Sequence, residues 1–211
     1  MNATRRREIF RLLAAERPDP QSELNFTTPF ELLVAVMLSA QATDKSVNAA
    51  TEKLFPVAST PEAFVQLGEE GLIPYIRTIG LYKAKAKHVI ETCRQLVERF
   101  GGEVPPRFDD LITLPGVGAK TANVVLNVAF HQPTIAVDTH IFRVANRTGL
   151  APAQTPDAVS EKLLKVTPKE FLLNAHHWLL LHGRYCCTAR KPHCSECPIA
   201  ALCEYPDKTV E

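Results

Sequence analysis

The chain has 211 residues, 45% of them hydrophobic and 22% charged, with a net charge of +1 at neutral pH. That length suits one large domain or two small ones, and the balance is ordinary for a globular protein. The longest uncharged apolar stretch, Leu32 to Ala40, falls well short of the ~20 residues of a membrane span, and the basic start lacks the apolar core of a secretory signal. The chain is therefore expected inside the cell, with no membrane partner.

In chain order, helix punctuation recurs and strand alternation is almost absent. A first amphipathic helix is predicted over 4–16. Thr28-Pro29-Phe30-Glu31 reads as an N-cap, a proline in the first turn and a capping-box glutamate, opening a helix over 29–39. Another follows over 44–55, and Thr60-Pro61 and Thr155-Pro156 repeat the cap-then-proline device. From Tyr82 the apolar stripe Ala86, Val89, Ile90, Cys93, Leu96, Val97 and Phe100 runs to Gly101-Gly102, a helix stop. Cys93 lies on this stripe, which makes it a core thiol. The segment 119–130 is apolar nearly all round, as a buried helix is, and further helices are predicted over 138–148, 157–166 and 169–182. The fold class is all-α.

The stretch from Leu111 to Ala122 carries the most information. A short apolar helix stops at Pro115, Gly116 and Gly118 flank Val117, and a new helix starts at once. Glycine lets a ligand approach the main chain. The opening N–H groups of a helix are unpaired and its dipole is positive there, so the string makes a phosphate site without side-chain charge. It resembles a helix-hairpin-helix, which grips a nucleic-acid backbone without reading its sequence. Lys120 falls in the first turn of the following helix, where a cation meets the unfavourable dipole end. A solvated surface lysine is the ordinary explanation, but locally unfavourable placement is expected at a functional site, and a lysine amine is a covalent nucleophile. Asp138 precedes an apolar-periodic helix and reads as its N-cap. Capping leaves the carboxylate able to stabilise charge or accept a proton.

Four of the six cysteines crowd into the last 25 residues. Cys187, Cys194, Cys197 and Cys203 give C-x6-C-x2-C-x5-C, and four thiolates so spaced close a site around zinc or a four-iron cluster. Spacing alone leans slightly to zinc. Cys186 adjoins the first ligand and is read as a non-ligand, because neighbours cannot easily both point inward. Arg190, Lys191 and His193 lie in the first loop, so a metal would hold a basic loop in one shape.

Together these pieces resemble the endonuclease III family of DNA glycosylases, nearly end to end. The matching strings start at Glu23-Leu-Asn-Phe, Leu38-Ser-Ala-Gln-Ala-Thr-Asp44 and Thr78-Ile-Gly-Leu-Tyr82. They continue through Leu114 to Asn123, Val137 to Val144, His182-Gly-Arg184 and the four cysteines. The resemblance implies two helical domains flanking a DNA-binding cleft: residues 22–132 with the helix-hairpin-helix, and residues 1–21 with 133–211 ending in the cysteine loop. It also implies a [4Fe-4S] cluster in place of zinc. By the same resemblance Lys120 attacks C1′ of a damaged, flipped-out nucleotide, a Schiff base forms, and β-elimination cuts the strand 3′ to the lesion. Asp138 assists as base or charge stabiliser. Gln41 and Leu81 fill the gap left in the stack, while Gly116, Val117, Gly118 and Lys191 hold the backbone. The expected substrate is double-stranded DNA containing oxidised pyrimidines or abasic sites, met by a monomer in a bacterial cytoplasm at the nucleoid. The nearest alternatives are a mismatch glycosylase without nicking activity, disfavoured by Lys120, and a non-catalytic DNA-binding module, disfavoured by the Lys120–Asp138 pair.

Overall fold

Helix starts follow from side chains that satisfy the unpaired N–H groups of a first turn. In the computed structural model, which describes residues 1–209, Thr28, Thr43, Thr60 and Thr155 each accept a backbone N–H from three residues ahead. Asn2 does the same for Arg5, at 2.9 Å. Among the described residues the helices are α1 (Ala3–Glu16), α2 (Pro29–Ser39), α3 (Asp44–Leu54), α4 (Pro61–Ile76), α5 (Tyr82–Phe100), α6 (Phe108–Leu111), α7 (Ala119–Phe130), α8 (Thr139–Thr148), α9 (Pro156–Val166) and α10 (Ala175–Tyr185). Among the described residues there is no strand, and the chain is all-α. Glu31 departs from the capping-box pattern. Its carboxylate accepts from Thr27, from N–H at 2.6 Å and from the hydroxyl at 2.7 Å, one residue ahead of the N-cap.

Two segments differ from the sequence expectation. Helix α4 was signalled only by Thr60-Pro61, because Gly68 interrupts it with a φ of 66° and Pro74 sits within it. Gly68 thus kinks α4 into two helical stretches, the first buried at Phe64 and the second at Leu72 and Ile76. The span 169–182 is not one helix: a 3₁₀ turn at Lys169–Phe171 is followed by α10, which runs on to Tyr185.

The chain divides into two units, Ser22–His131 and Met1–Gln21 with the residues from Gln132 onward. In the first, α2 is buried from Phe30 to Leu38 and packs against α3, α5 and α7. Cys93 lies in this core, fully buried, and burial with the nearby Glu62 charge pushes its thiol up to about 12. In the second, α10 packs on α8 and α1 around Phe10, Ile141, Val144, Trp178 and Leu179. The Trp178 indole N–H donates to Arg17 O at 2.8 Å, which ties the end of α1 to α10. Among the described residues no helix is long and apolar enough to cross a membrane.

Candidate nucleic-acid interface and metal centre

The hairpin between α6 and α7 is built around one buried residue. Val117 is 4% exposed and anchors the turn, while Gly116 and Gly118 on either side are exposed. Gly116 has a φ of 75°, and a Cβ there would come within 2.9 Å of the His88 side chain on α5. Both facts require glycine. Thr92, also on α5, donates its hydroxyl to Pro115 O at 2.7 Å and fixes the turn from beneath. Gly118 is the N-cap of α7 and offers no side chain to cap it, and no atom lies within 4 Å of where its Cβ would be. The opening N–H groups of α7 thus have no side-chain cap beside an exposed turn, the arrangement an anion needs. Lys120 is exposed in that same first turn.

Gln41 and Leu81 stand on neighbouring turns of the same unit. The Cβ position of Gly80 lies 3.9 Å from Gln41 O. Both residues are exposed, Leu81 at 61%, and both have positive φ, 55° and 61°. Left-handed backbone at a non-glycine residue costs roughly 1–2 kcal/mol, and such strain concentrates at functional sites. Sequence reasoning found these residues but not their conformation. It missed Lys85, which is 7% exposed and donates its ammonium to Leu38 O at 2.9 Å. Its signal was available, a lysine on the buried stripe of α5.

In the other unit Asp138 caps α8, accepting the Ile141 N–H at 2.8 Å. From the same helix Arg143 donates to Cys187 O and Gly183 O, and Arg147 donates to Thr188 O and Ala189 O. Sequence reasoning did not single out these two arginines. They sit one turn apart on α8 and clamp the loop that carries the cysteines, so one helix positions both Asp138 and the metal centre. Thr188 donates its hydroxyl to Lys191 O at 2.6 Å, which folds the basic loop; Arg190 and Lys191 are exposed on it.

Cys187, Cys194, Cys197 and Cys203 all line a single cavity of about 350 Å³, solvent-open space included. Cys186 and His182 line it too, and the tightest cluster of donor atoms is His182, Cys186 and Cys197, within 4.8 Å of one another. Cys186 therefore faces the cavity that its neighbour Cys187 also lines. The Cys186 thiol donates to His193 O at 3.7 Å, and its position beside Cys197, with the His182 ring 3.8 Å from Cys197 Sγ, holds the Cys197 thiol below its ordinary range. The Tyr205 N–H points at Cys203 Sγ at 3.5 Å and Arg147 at Cys187 Sγ at 3.7 Å. Four cysteine sulfurs around one cavity, with N–H groups aimed at two of them, fit an iron–sulfur cluster, whose negative charge such donors stabilise.

Comparison with known proteins agrees with this geometry. The family profile of HhH-GPD superfamily base excision DNA repair proteins matches residues 34–169. That of the iron-sulfur binding domain of endonuclease III matches residues 187–203, from the first predicted ligand to the last. Endonuclease III of Escherichia coli is 61% identical over 208 residues, covering 99% of both chains, and that of Haemophilus influenzae is 60% identical over the same span. A solved endonuclease III–DNA complex trapped as a covalent intermediate superposes with a TM-score of 0.90 at 43% identity, covering 97% of this chain and 96% of that one. A thermostable thymine-DNA glycosylase shares the fold at a TM-score of 0.84 and 24% identity.

Proposed function

The chain belongs to the endonuclease III family of the HhH-GPD superfamily, DNA glycosylase/lyases of base excision repair with a [4Fe-4S] cluster, and we propose that it excises oxidised pyrimidines through a Schiff base at Lys120. The family profile sets aside zinc, toward which cysteine spacing alone leaned. The observation that carries the proposal is the exposed Lys120 side chain two residues beyond the open Gly118, in the first turn of α7. The helix end that takes a phosphate thereby presents an amine beside the same nucleotide.

In this reading the Gly116–Gly118 main chain holds a phosphate, and Gln41 and Leu81 fill the gap from which the damaged nucleotide has turned out. The Lys120 amine attacks C1′, and the bond from C1′ to the base breaks as the base leaves with its electron pair and takes up a proton. The imine formed after sugar-ring opening acidifies C2′, a proton is lost there, and the 3′ phosphate departs by β-elimination. Asp138 is held by the start of α8 as an acceptor, where it stabilises developing positive charge or takes a proton. The substrate is damaged or abasic duplex DNA in the bacterial nucleoid, and the working form is a monomer.

Incubating the protein with a lesion-bearing duplex and borohydride tests this: an enzyme–DNA adduct should accumulate, and base release without any adduct would assign a non-nicking glycosylase instead. The cluster's ligands have their own test. Cys187, Cys194, Cys197 and Cys203 would hold the iron, so replacing any of them by Ser should lower the iron and acid-labile sulfide content of the yellow-brown protein. Cys93→Ala and Cys186→Ser should leave both unchanged; loss of iron in Cys186→Ser would reassign the ligand set.

The cluster's work is mainly to hold the loop of Arg190 and Lys191 against phosphate. Removing one phosphate contact changes the salt slope of DNA affinity by about one unit. Lys191→Ala is expected to show that change in a titration across salt concentrations, and an unaltered slope and affinity would remove the loop from the interface.

A further inference from the structure

We propose that Lys85 is a positioning residue that holds Gln41 and Leu81 in the left-handed conformations from which they enter the DNA stack. This rests on the gap-filling role given above to those two residues.

Two strained turns must be kept in place next to each other, and Lys85 bonds to both. Its backbone N–H donates to Leu81 O at 3.0 Å, the first hydrogen bond of α5. Its ammonium donates to Leu38 O at 2.9 Å, three residues before Gln41. The last carbonyls of α2 run out of backbone N–H partners within the helix and take other donors. Val36 O takes the Ser39 hydroxyl, Ser39 O takes the Ala42 N–H, and Leu38 O takes Lys85. A cation there also meets the favourable, negative end of the α2 dipole. The same ammonium sits in the first turn of α5, the unfavourable end of its own helix, and is buried, which lowers its pKa from the ordinary lysine value. Among the described residues no carboxylate pairs with it. Burying a charge without a counter-charge is costly, and what this one secures is the junction between the two turns. A Cβ added at Gly80 would lie 3.9 Å from Gln41 O, so the two turns are also neighbours there. Packing alone would be served by methionine at position 85; the ammonium is what reaches the α2 carbonyl.

The test compares Lys85→Met, Lys85→Arg and the double variant Gln41→Ala/Leu81→Ala. Each acts on one oxidised pyrimidine, placed either in a fully paired duplex or in a mismatch bubble where stacking is already broken. Unstacking a paired base costs a few kcal/mol, so loss of the wedge should slow single-turnover base release in the paired duplex about tenfold or more, and in the bubble less than about threefold. Lys85→Met should show that selective loss with its melting transition intact, and Lys85→Arg should restore most of the paired-duplex rate. Adding Lys85→Met to the Gln41→Ala/Leu81→Ala protein should cost nothing further. Equal losses on both substrates, or additive losses in the triple variant, would overturn the positioning role while leaving the wedge intact. If Gln41→Ala/Leu81→Ala spares the paired duplex, the wedge reading itself fails and the proposal falls with it. Should Lys85→Met not fold, Lys85→Gln, which keeps a donor but not the charge or the reach, is judged by the same criteria.

Discussion

Lys120→Gln is expected to form no borohydride-trapped adduct and to leave lesion-bearing strands uncut, while binding the same duplex with nearly unchanged affinity. The chemistry needs a primary amine, because only an amine condenses to an imine with the sugar carbon, and an amide nitrogen has no available electron pair. Binding is expected to survive because, in the proposed mode, the phosphate contact comes from the main chain at Gly116 to Gly118, not from the lysine. Gly118 keeps its open space, and Val117 keeps the turn anchored. Removing a cation from the first turn of α7 relieves an unfavourable dipole interaction, worth roughly 0.3–1 kcal/mol at an exposed site, so the variant should be as stable as the parent or slightly more so. Gel analysis of the trapped complex, a binding titration and a melting curve together check the prediction. A Lys120→Gln protein that still traps would place the nucleophile elsewhere, and one that fails to bind would make the lysine a phosphate ligand.

Asp138→Asn is expected to slow base release by about 10²–10⁴-fold, the usual worth of one positioned acid–base or charge-stabilising group. Its fold should hold. Asp138 Oδ1 accepts the Ile141 N–H at 2.8 Å, and the asparagine carbonyl can accept the same bond, so the α8 cap is kept. What is lost is the negative charge at a helix start, which costs a few tenths of a kcal/mol up to about 1. A large rate effect with a small stability effect is therefore the signature. Asp138→Ala removes cap and charge together and should lower both rate and melting temperature. Helix α8 also carries Arg143 and Arg147 to the cysteine loop, so iron content is the control that separates the two consequences. Retention of full activity in Asp138→Asn would confine Asp138 to capping.

The residues proposed to carry chemistry were singled out in the sequence, and so were most of the helices that present them. The starts of α2, α4 and α9 are written in Thr-Pro pairs, because a cap is a contact over three residues and depends on nothing distant. The Leu-Pro-Gly-Val-Gly string and the spacing of four cysteines are equally local, and the family follows from them. Other features exist only once distant segments meet. Gly68 kinks α4 into two helical stretches, and the burial of Phe64 before the kink and of Leu72 and Ile76 after it comes from distant segments. Gln41 and Leu81 adopt backbone angles that their side chains disfavour, which no propensity could foretell. Cys186, adjacent to a predicted ligand, lines the same cavity because the chain turns after His182, whose carbonyl takes the N–H of both Cys186 and Cys187. The arginines of α8 reach main-chain carbonyls some forty residues away, and Lys85 reaches one at a separation of 47. Local hydrogen bonds and periodicity set which elements form and which groups could react. Long-range burial and strain, tolerated only where neighbouring segments over-determine a turn, set how those groups are held.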